Sequence, residues 1–136
     1  MTKPTQILSD EHKLILQALE CIKKECTILE KTNKIDVEFF TKAIDFIRNY
    51  ADKFHHAKEE EILFVELCKD SVQMHCNPTG QMLYEHDLGR DFVKAIEQGV
   101  QNQKADEVIK NVNSYTSLLQ EHIYKEDSIL YPMADE

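Results

Sequence analysis

The chain contains few of the residues that end helices or form tight turns. Only three glycines and three prolines occur among its 136 residues, against 42% hydrophobic and 30% charged residues. So few turn formers favour long helices joined by short connections. We therefore expect an all-α protein. At 136 residues the chain is most simply one domain, so we expect a single domain over residues 1–136.

Basic patches, long apolar runs and a secretion signal are also missing. The formal net charge is -9, and the basic residues are interleaved with acids. This argues against nucleic-acid binding, because phosphate backbones need clustered lysine and arginine. No run approaches the roughly 20 apolar residues that span a bilayer, and residues 1–12 lack the apolar core of a secretion signal. We expect a cytoplasmic protein without nucleic-acid or membrane partners, and its oligomeric state is left open.

The four cysteines do not indicate a disulfide framework. They are Cys21, Cys26, Cys68 and Cys76. A domain of this size in a reducing compartment does not need cross-links, so we expect free thiols. Cys21 and Cys26 diverge around a helix, which makes them a poor chelating pair.

Apolar residues recur at helical spacing in four segments of the chain. The predicted helices run from about Thr5 to Thr32, from after Asp36 to about Lys69, from about Thr79 to Gln98, and from about Ala105 to Tyr131. Asp36 is a good N-cap, and the Asn77–Gly80 stretch, Gly99 and Pro132 are read as helix boundaries. Four amphipathic helices with short connections predict an up-down-up-down four-helix bundle.

One segment occurs twice. Both copies read His, two variable residues, Lys, Glu, an acid, one variable residue, Ile, Leu and an aromatic, and they start at His55 and His122. Glu59 and Glu126 each follow four residues after the histidine. On a helix this spacing points an imidazole and a carboxylate from the same face, one turn apart, as two ligands of one metal site must.

Two further histidines, His12 and His86, fall on the apolar stripes of the first and third helices, and each follows a glutamate. Buried imidazoles and carboxylates are costly unless they are paired or coordinated, and a cation resolves that cost. This donor mixture suits iron, manganese or zinc, with two carboxylates able to bridge two ions. We predict a pseudo-twofold site for two metal ions with the ligands His12, His55, Glu59, His86, His122 and Glu126.

His56 and Glu60 share the same spacing, so spacing alone does not choose the frame. The internal alignment favours His55 and Glu59, because starting at His56 loses the matches to the second copy. On a regular helix His56 also lies in line with Asn49 and Asp52, a polar face. We therefore expect His56 on the surface or in the layer outside the ligands, and His56→Ala to keep its metal.

The pattern resembles the hemerythrin-like, or HHE cation-binding, domain over essentially the whole chain. The matching motifs are of the HxxKEExILFP type, starting at His55, and of the EHxxGR type, from Glu85 to Arg90. The resemblance implies a non-haem di-iron centre in a four-helix bundle, with two iron ions joined by an oxo or hydroxo bridge. It also implies O2, nitric oxide or peroxide as the small ligand.

The ligand set departs from that of the oxygen-carrying hemerythrins. Those proteins look to have a further histidine where this chain has Met82, and an aspartate at the spacing of Asp127, where Glu126 fits the repeat better. Four histidines and two glutamates look more like the hemerythrin-like proteins of nitric-oxide and oxidative-stress responses and of iron-sulfur repair.

The leading hypothesis is therefore a di-iron protein that binds O2 or nitric oxide at an open iron position, for binding, sensing or stress response. The alternatives are a di-iron enzyme that reduces peroxide or nitric oxide, and an iron-storage or iron-sulfur repair protein. A binding protein is preferred to an enzyme, and no catalytic residue is assigned. Contributions of His75, Met82 and Tyr115 to the site are left open, and Arg90 is expected to pair with a neighbouring acid or reach solvent.

Overall fold

The described part of the chain is built of helices, with short loops at residues 33–36 and 102–104. The computed structural model describes residues 4–56, 58–59 and 73–132, and no strand occurs among them. The helices are α1 (Pro4–Thr32), α2 (Val37–Phe46), α3 (Gln73–Gln101) and α4 (Ala105–Lys125), with π-helical segments Ile47–His56 continuing α2 and Glu126–Leu130 continuing α4. Helix α1 packs on α2 and α4, and α3 packs on the same two helices. The predicted all-α, up-down-up-down four-helix bundle is confirmed.

The connection from α1 to α2 follows the predicted boundaries. Asn33 adopts a left-handed conformation with φ 54°, and its N–H donates to the Leu29 carbonyl at 2.8 Å. Such a residue commonly ends a helix. The Asp36 side chain then accepts the N–H of Phe39 at 3.0 Å, as an N-cap should. The predicted end at Thr32 and start after Asp36 are confirmed.

The predicted bounds of the third helix are wrong at both ends. Helix α3 begins at Gln73 rather than near Thr79, so the Asn77–Gly80 stretch lies inside it. A proline this close to a helix start removes one backbone hydrogen bond, and the following turns outweigh that loss. Helix α3 also continues past Gly99 to Gln101. The predicted end of the second helix near Lys69 lies outside the described residues.

At Gly99, α3 passes very close to α4, and a glycine inside the helix allows this approach. A Cβ added at this position would lie 3.0 Å from Cγ2 of Val108 and 3.2 Å from its backbone nitrogen. We expect Gly99→Ala to lower the free energy of unfolding by about 1–3 kcal/mol, measured by urea denaturation of the metal-free protein. Gly80→Ala is the matched control, since nothing lies within 4 Å of its added Cβ, and alanine there should stabilise by about 0.5–1 kcal/mol. Two equal effects would contradict the close approach.

The apolar core fills the half of the bundle that contains the α1–α2 and α3–α4 loops. Its largest fully buried members include Ile15, Leu19, Leu29, Phe40 and Val108. The His and Glu side chains of the predicted site lie at the other end, directly beyond this core. The core therefore fixes the helices on which the site is built.

None of the described helices is long and apolar enough to cross a membrane.

Two of the four cysteines can be assessed. Cys21 is exposed and Cys26 is buried, and both are free thiols, as expected. Burial is the main reason that the pKa of the Cys26 thiol rises to about 11, with nearby Glu30 and Glu25 adding to the effect. The side chains of Cys68 and Cys76 lie outside the described residues.

Candidate metal centre

The structure brings all six predicted ligand side chains together inside the bundle. Each of them is at most 2% exposed: His12, His55, Glu59, His86, His122 and Glu126. Helices α1 and α3 provide one histidine each. His55 lies in the π-helical segment that continues α2, and His122 lies at the end of α4, directly before the π-helical segment that begins with Glu126. Their coordination of metal stays a prediction, but their convergence does not depend on it.

The buried donors divide into two groups that share one carboxylate. In the first group, ligand atoms of His12, His55, Glu59 and Glu126 all lie within 4.8 Å of one another. The second group joins the same glutamate, Glu59, to His56, His86 and His122 within the same distance. The arrangement therefore provides two adjacent positions for a cation.

The Glu59 carboxylate faces both positions with one oxygen. Its Oε1 lies 3.5 Å from Nε2 of His55 and 3.4 Å from Nε2 of His86. These two histidines belong to different groups, so Glu59 is placed to bridge them.

The Glu126 carboxylate faces the two positions with separate oxygens. Oε1 lies 3.1 Å from Nε2 of His12, and Oε2 lies 3.3 Å from Nε2 of His122. A carboxylate that offers one oxygen to each of two histidine groups has the disposition of a bridge between two metal ions.

Several of these buried atoms lack hydrogen-bond partners. Among the described residues, the buried side-chain atoms without a partner are His55 Nε2, Glu59 Oε1 and both oxygens of Glu126. Buried polar atoms are normally satisfied, and unsatisfied ones mark a strained or ligand-binding site. All of these atoms point into the same space, so a cation between them is the simplest partner.

The imidazole pairs also have a geometry that fits coordination. The rings of His12 and His55 lie 4.5 Å apart at 58°, and those of His86 and His122 lie 4.7 Å apart at 60°. The Nε2 atoms of His86 and His122 are separated by 3.0 Å. Two nitrogens bound at right angles to one ion, each about 2.1 Å from it, would lie about 3 Å apart. The donor set fits a pair of transition-metal ions.

A glutamate from α1 orients the first pair from outside. The Nδ1–H of His55 donates to Oε1 of Glu11 at 2.8 Å, and Lys58 Nζ donates to the other oxygen at 2.7 Å. This arrangement of lysine, carboxylate and imidazole is here called an outer clamp. It fixes the ring so that Nε2 faces the centre, as carboxylates commonly do for metal-bound histidines.

The other half of the chain builds a second outer clamp. Glu85 Oε1 accepts from Nδ1 of His122 at 2.9 Å, and Lys125 Nζ donates to Oε2 at 2.9 Å. Burial by itself would raise the pKa of Glu85, but the hydrogen bonds from His122, Gln81 and Lys125 outweigh it and lower the pKa to about 2. Glu85 is therefore a carboxylate at neutral pH.

His12 has a different outer partner. Its Nδ1 lies 3.1 Å from Oδ1 of Asp127, which also accepts from the Ser9 hydroxyl at 2.6 Å. Burial would lower the pKa of His12, but the contacts with Asp127 and Glu126 raise it to about 9. Asp127 thus orients His12, while Glu126 faces the metal positions, which agrees with the preference for Glu126 in the internal repeat.

We expect the outer clamps to contribute to metal affinity without being ligands. Glu85→Ala and Glu11→Ala should each lower the affinity for ferrous ion roughly 10- to 100-fold, because the released histidine loses its fixed orientation and its basicity. Anaerobic titration of metal-free protein measures this. Glu97→Ala is the control, since Glu97 pairs with Arg48 at 2.6 Å on the surface. An unchanged affinity in both clamp variants would contradict the assignment.

His56 is buried, so the surface alternative is wrong, and the other expected place, the layer outside the ligands, is not contradicted. Only 6% of the residue is exposed, and its ring is stacked on that of His86 at 3.9 Å. Burial and the neighbouring His86 lower its pKa well below 6.5. The polar-face reasoning assumed α-helical spacing, but Ile47–His56 is π-helical. A π turn holds more residues than an α turn, so consecutive histidines can share the inward face.

A cavity of about 370 Å³ extends from His56 and His86 toward the outside of the bundle. Tyr115 belongs to the buried apolar core and also lines this cavity. Arg90 also lines it and pairs with Asp52 at 2.7 Å, which confirms the expected pairing with a neighbouring acid. The cavity therefore lies beside the second group of donors.

The first position is closed by a tyrosine that the sequence did not single out. The Tyr131 hydroxyl donates to Oε2 of Glu59 at 2.5 Å, and its ring is stacked on His12 at 5.6 Å. Burial is the main reason that the pKa of Tyr131 is raised, and nearby Glu126 adds to it. A protonated hydroxyl therefore contacts the Glu59 carboxylate.

The two buried carboxylates make the centre electrostatically unfavourable without a cation. Burial and the adjacent Glu59 raise the pKa of Glu126 well above its usual range. Carboxylates this close cannot both ionise readily in a low-dielectric interior. Positive charge placed between them would remove this conflict.

The outer partners lie beside the apolar stripes rather than on them, so the stripe pattern does not predict them. Glu11 and Glu85 each precede a stripe histidine, and Lys58 and Lys125 occupy the same place in the two repeats. These repeated positions were the available signal. The neighbouring helices on which each carboxylate acts could not be read from the repeat alone. The side chain of His75 lies outside the described residues, and Met82 is buried.

Comparison with known proteins agrees with this geometry. Residues 3–134 match the hemerythrin HHE cation-binding domain family. No curated protein and no solved structure matches the chain. The family match covers nearly all of the 136 residues, and the buried histidine and glutamate groups are what a cation-binding domain requires. The chain therefore belongs to the hemerythrin HHE cation-binding domain family.

Proposed function

We propose that this protein is a non-haem di-iron protein that binds O2 or nitric oxide at an open iron position, for carriage, sensing or stress response. His12 and His55 would hold one ion, His86 and His122 the other, with Glu59 and Glu126 between them. The observation that carries the proposal is the orientation of Glu126, whose two oxygens face histidines of different groups at 3.1 and 3.3 Å.

Four imidazoles and two carboxylates supply fewer donor atoms than two six-coordinate ions accept. A pair of ferrous ions at this site would supply reversible binding of a diatomic ligand at a position that no side chain fills. The outer clamps orient the histidine donors. All six metal-binding side chains are buried, which keeps bulk water away from them. The cavity beside His86 provides the entry path.

A second candidate function is the reduction of peroxide by the same centre. It is favoured by the Tyr131 hydroxyl, which donates to Glu59 and lies 3.5 Å from Nε2 of His12. Cleavage of an O–O bond needs protons delivered at the oxygens, and a hydroxyl this close can hold one there. Reversible gas binding has no such requirement.

Mixing anaerobically reduced, iron-loaded protein with O2 separates the two functions. A new optical spectrum that persists and disappears on removal of O2 supports binding. Immediate oxidation without an adduct contradicts O2 carriage, and the same experiment with nitric oxide tests the other ligand. Tyr131→Phe is the informative variant, because it keeps the stacked ring and removes the hydroxyl. Turnover of peroxide that falls in this variant while iron content is kept would favour the enzyme.

A further inference from the structure

One buried histidine at the centre has no role in the six-residue site. We infer that His56 supplies a third imidazole to the metal position formed by His86 and His122, an inference that rests on the proposed di-iron function. Ligand atoms of these three histidines and of Glu59 lie within 4.8 Å of one another. The two metal positions are then unequal, with two imidazoles at one and three at the other.

The surroundings of His56 resemble the outer clamps in the order of their groups, but its carboxylate lies beyond hydrogen-bond distance. Its Nδ1 lies 4.0 Å from Oδ1 of Asp52, and Nη2 of Arg90 lies 2.7 Å from that same oxygen. A cation, a carboxylate and an imidazole Nδ1 thus follow in the order already found at Glu11 and Glu85. In a metal site such a carboxylate faces one ring nitrogen and leaves the other for the ion.

The orientation of the His56 ring makes it the weakest donor of the three. It is stacked on His86 at 3.9 Å with 14° between the rings, whereas His86 and His122 cross at 60°. The lone pair of an imidazole nitrogen lies in the ring plane, so parallel stacked rings cannot both point at one ion. His56 must tilt out of the stack to bind. Nδ1 of His56 lies 4.0 Å from Asp52, whereas Nδ1 of His55 lies 2.8 Å from Glu11. The longer distance means that no hydrogen bond to Asp52 holds the His56 ring in place.

The variant His56→Phe tests this inference because it keeps a flat ring against His86 and removes the nitrogen donor. In an anaerobic titration of metal-free protein with ferrous ion, we expect binding at the position of His86 and His122 to weaken roughly 10- to 100-fold. Binding of the first ion should be unchanged. His122→Ala serves as the comparison, since it removes a stronger donor from the same position and should weaken binding further.

His56→Gly with added imidazole keeps the test decisive if the phenylalanine variant is perturbed in another way. Free imidazole should restore the second ion, as it replaces the missing donor without a covalent link. Failure of this rescue counts against ligation by His56. Wild-type binding of both ions together with unchanged binding in His56→Phe overturns this inference alone. A wild-type chain that binds no ion overturns the proposed function and this inference with it.

Discussion

The variant Glu126→Gln should lose both metal ions. Removal of one histidine that faces a single metal position should affect mainly the ion at that position. The substitution exchanges one carboxylate oxygen for an amide nitrogen with almost no change in volume. Because the two oxygens of Glu126 face His12 and His122, both positions lose an anionic donor. We expect the affinity for each ferrous ion to fall by more than roughly 100-fold, beyond the effect of losing an outer partner.

The metal-to-protein ratio after loading and desalting measures this effect. Glu121→Gln is the matched control, because it makes the same chemical change at an exposed position of α4. It should retain the wild-type ratio. A Glu126→Gln protein that keeps both ions with wild-type affinity would show that this carboxylate is not a bridge.

Metal loading should stabilise the folded protein strongly. Without a cation, Oε1 of Glu59 and both oxygens of Glu126 lack hydrogen-bond partners, and the pKa of Glu126 is raised by burial and by its neighbour Glu59. An ion that binds only the folded state at about 1,000 times its Kd stabilises by about 4 kcal/mol. For a domain of this size that corresponds to a rise in Tm of roughly 10–20 °C.

Removing one carboxylate should abolish this stabilisation by metal. Glu126→Gln should show almost no rise in Tm on addition of ferrous ion. In the metal-free state it should be no less stable than the wild type, because a neutral amide places no second charge beside Glu59. Thermal unfolding by circular dichroism, with and without metal under anaerobic conditions, checks both expectations. A wild-type Tm that does not respond to metal would count against coupling between the site and the fold.

The helices were predictable because their signals are local. Apolar spacing fixed the stripes of α1 and α4, and the Asp36 cap marked the start of α2. The start and end of α3 were misjudged, because Pro78 and Gly99 were read as helix boundaries. Tertiary packing decides these positions, since Gly99 is needed for the close approach to Val108 rather than for a turn.

The candidate ligands were accessible from sequence because the chain repeats its own motif at His55 and His122. The partners on other helices were not. The role of Glu11 depends on α1 lying beside the end of α2, and no spacing within one helix reveals that. The surface alternative for His56 was wrong for a different reason. Its inward position depends on π-helical backbone, which the apolar pattern of the sequence did not indicate.

Anomalous diffraction from crystals of the iron-loaded protein, measured at the iron absorption edge, is the most direct test of a two-metal centre. The account predicts two peaks, one beside His12 and His55 and one beside His86 and His122, with Glu59 and Glu126 between them. A single peak, a peak outside this cluster, or a cluster without anomalous density in iron-loaded protein would contradict it.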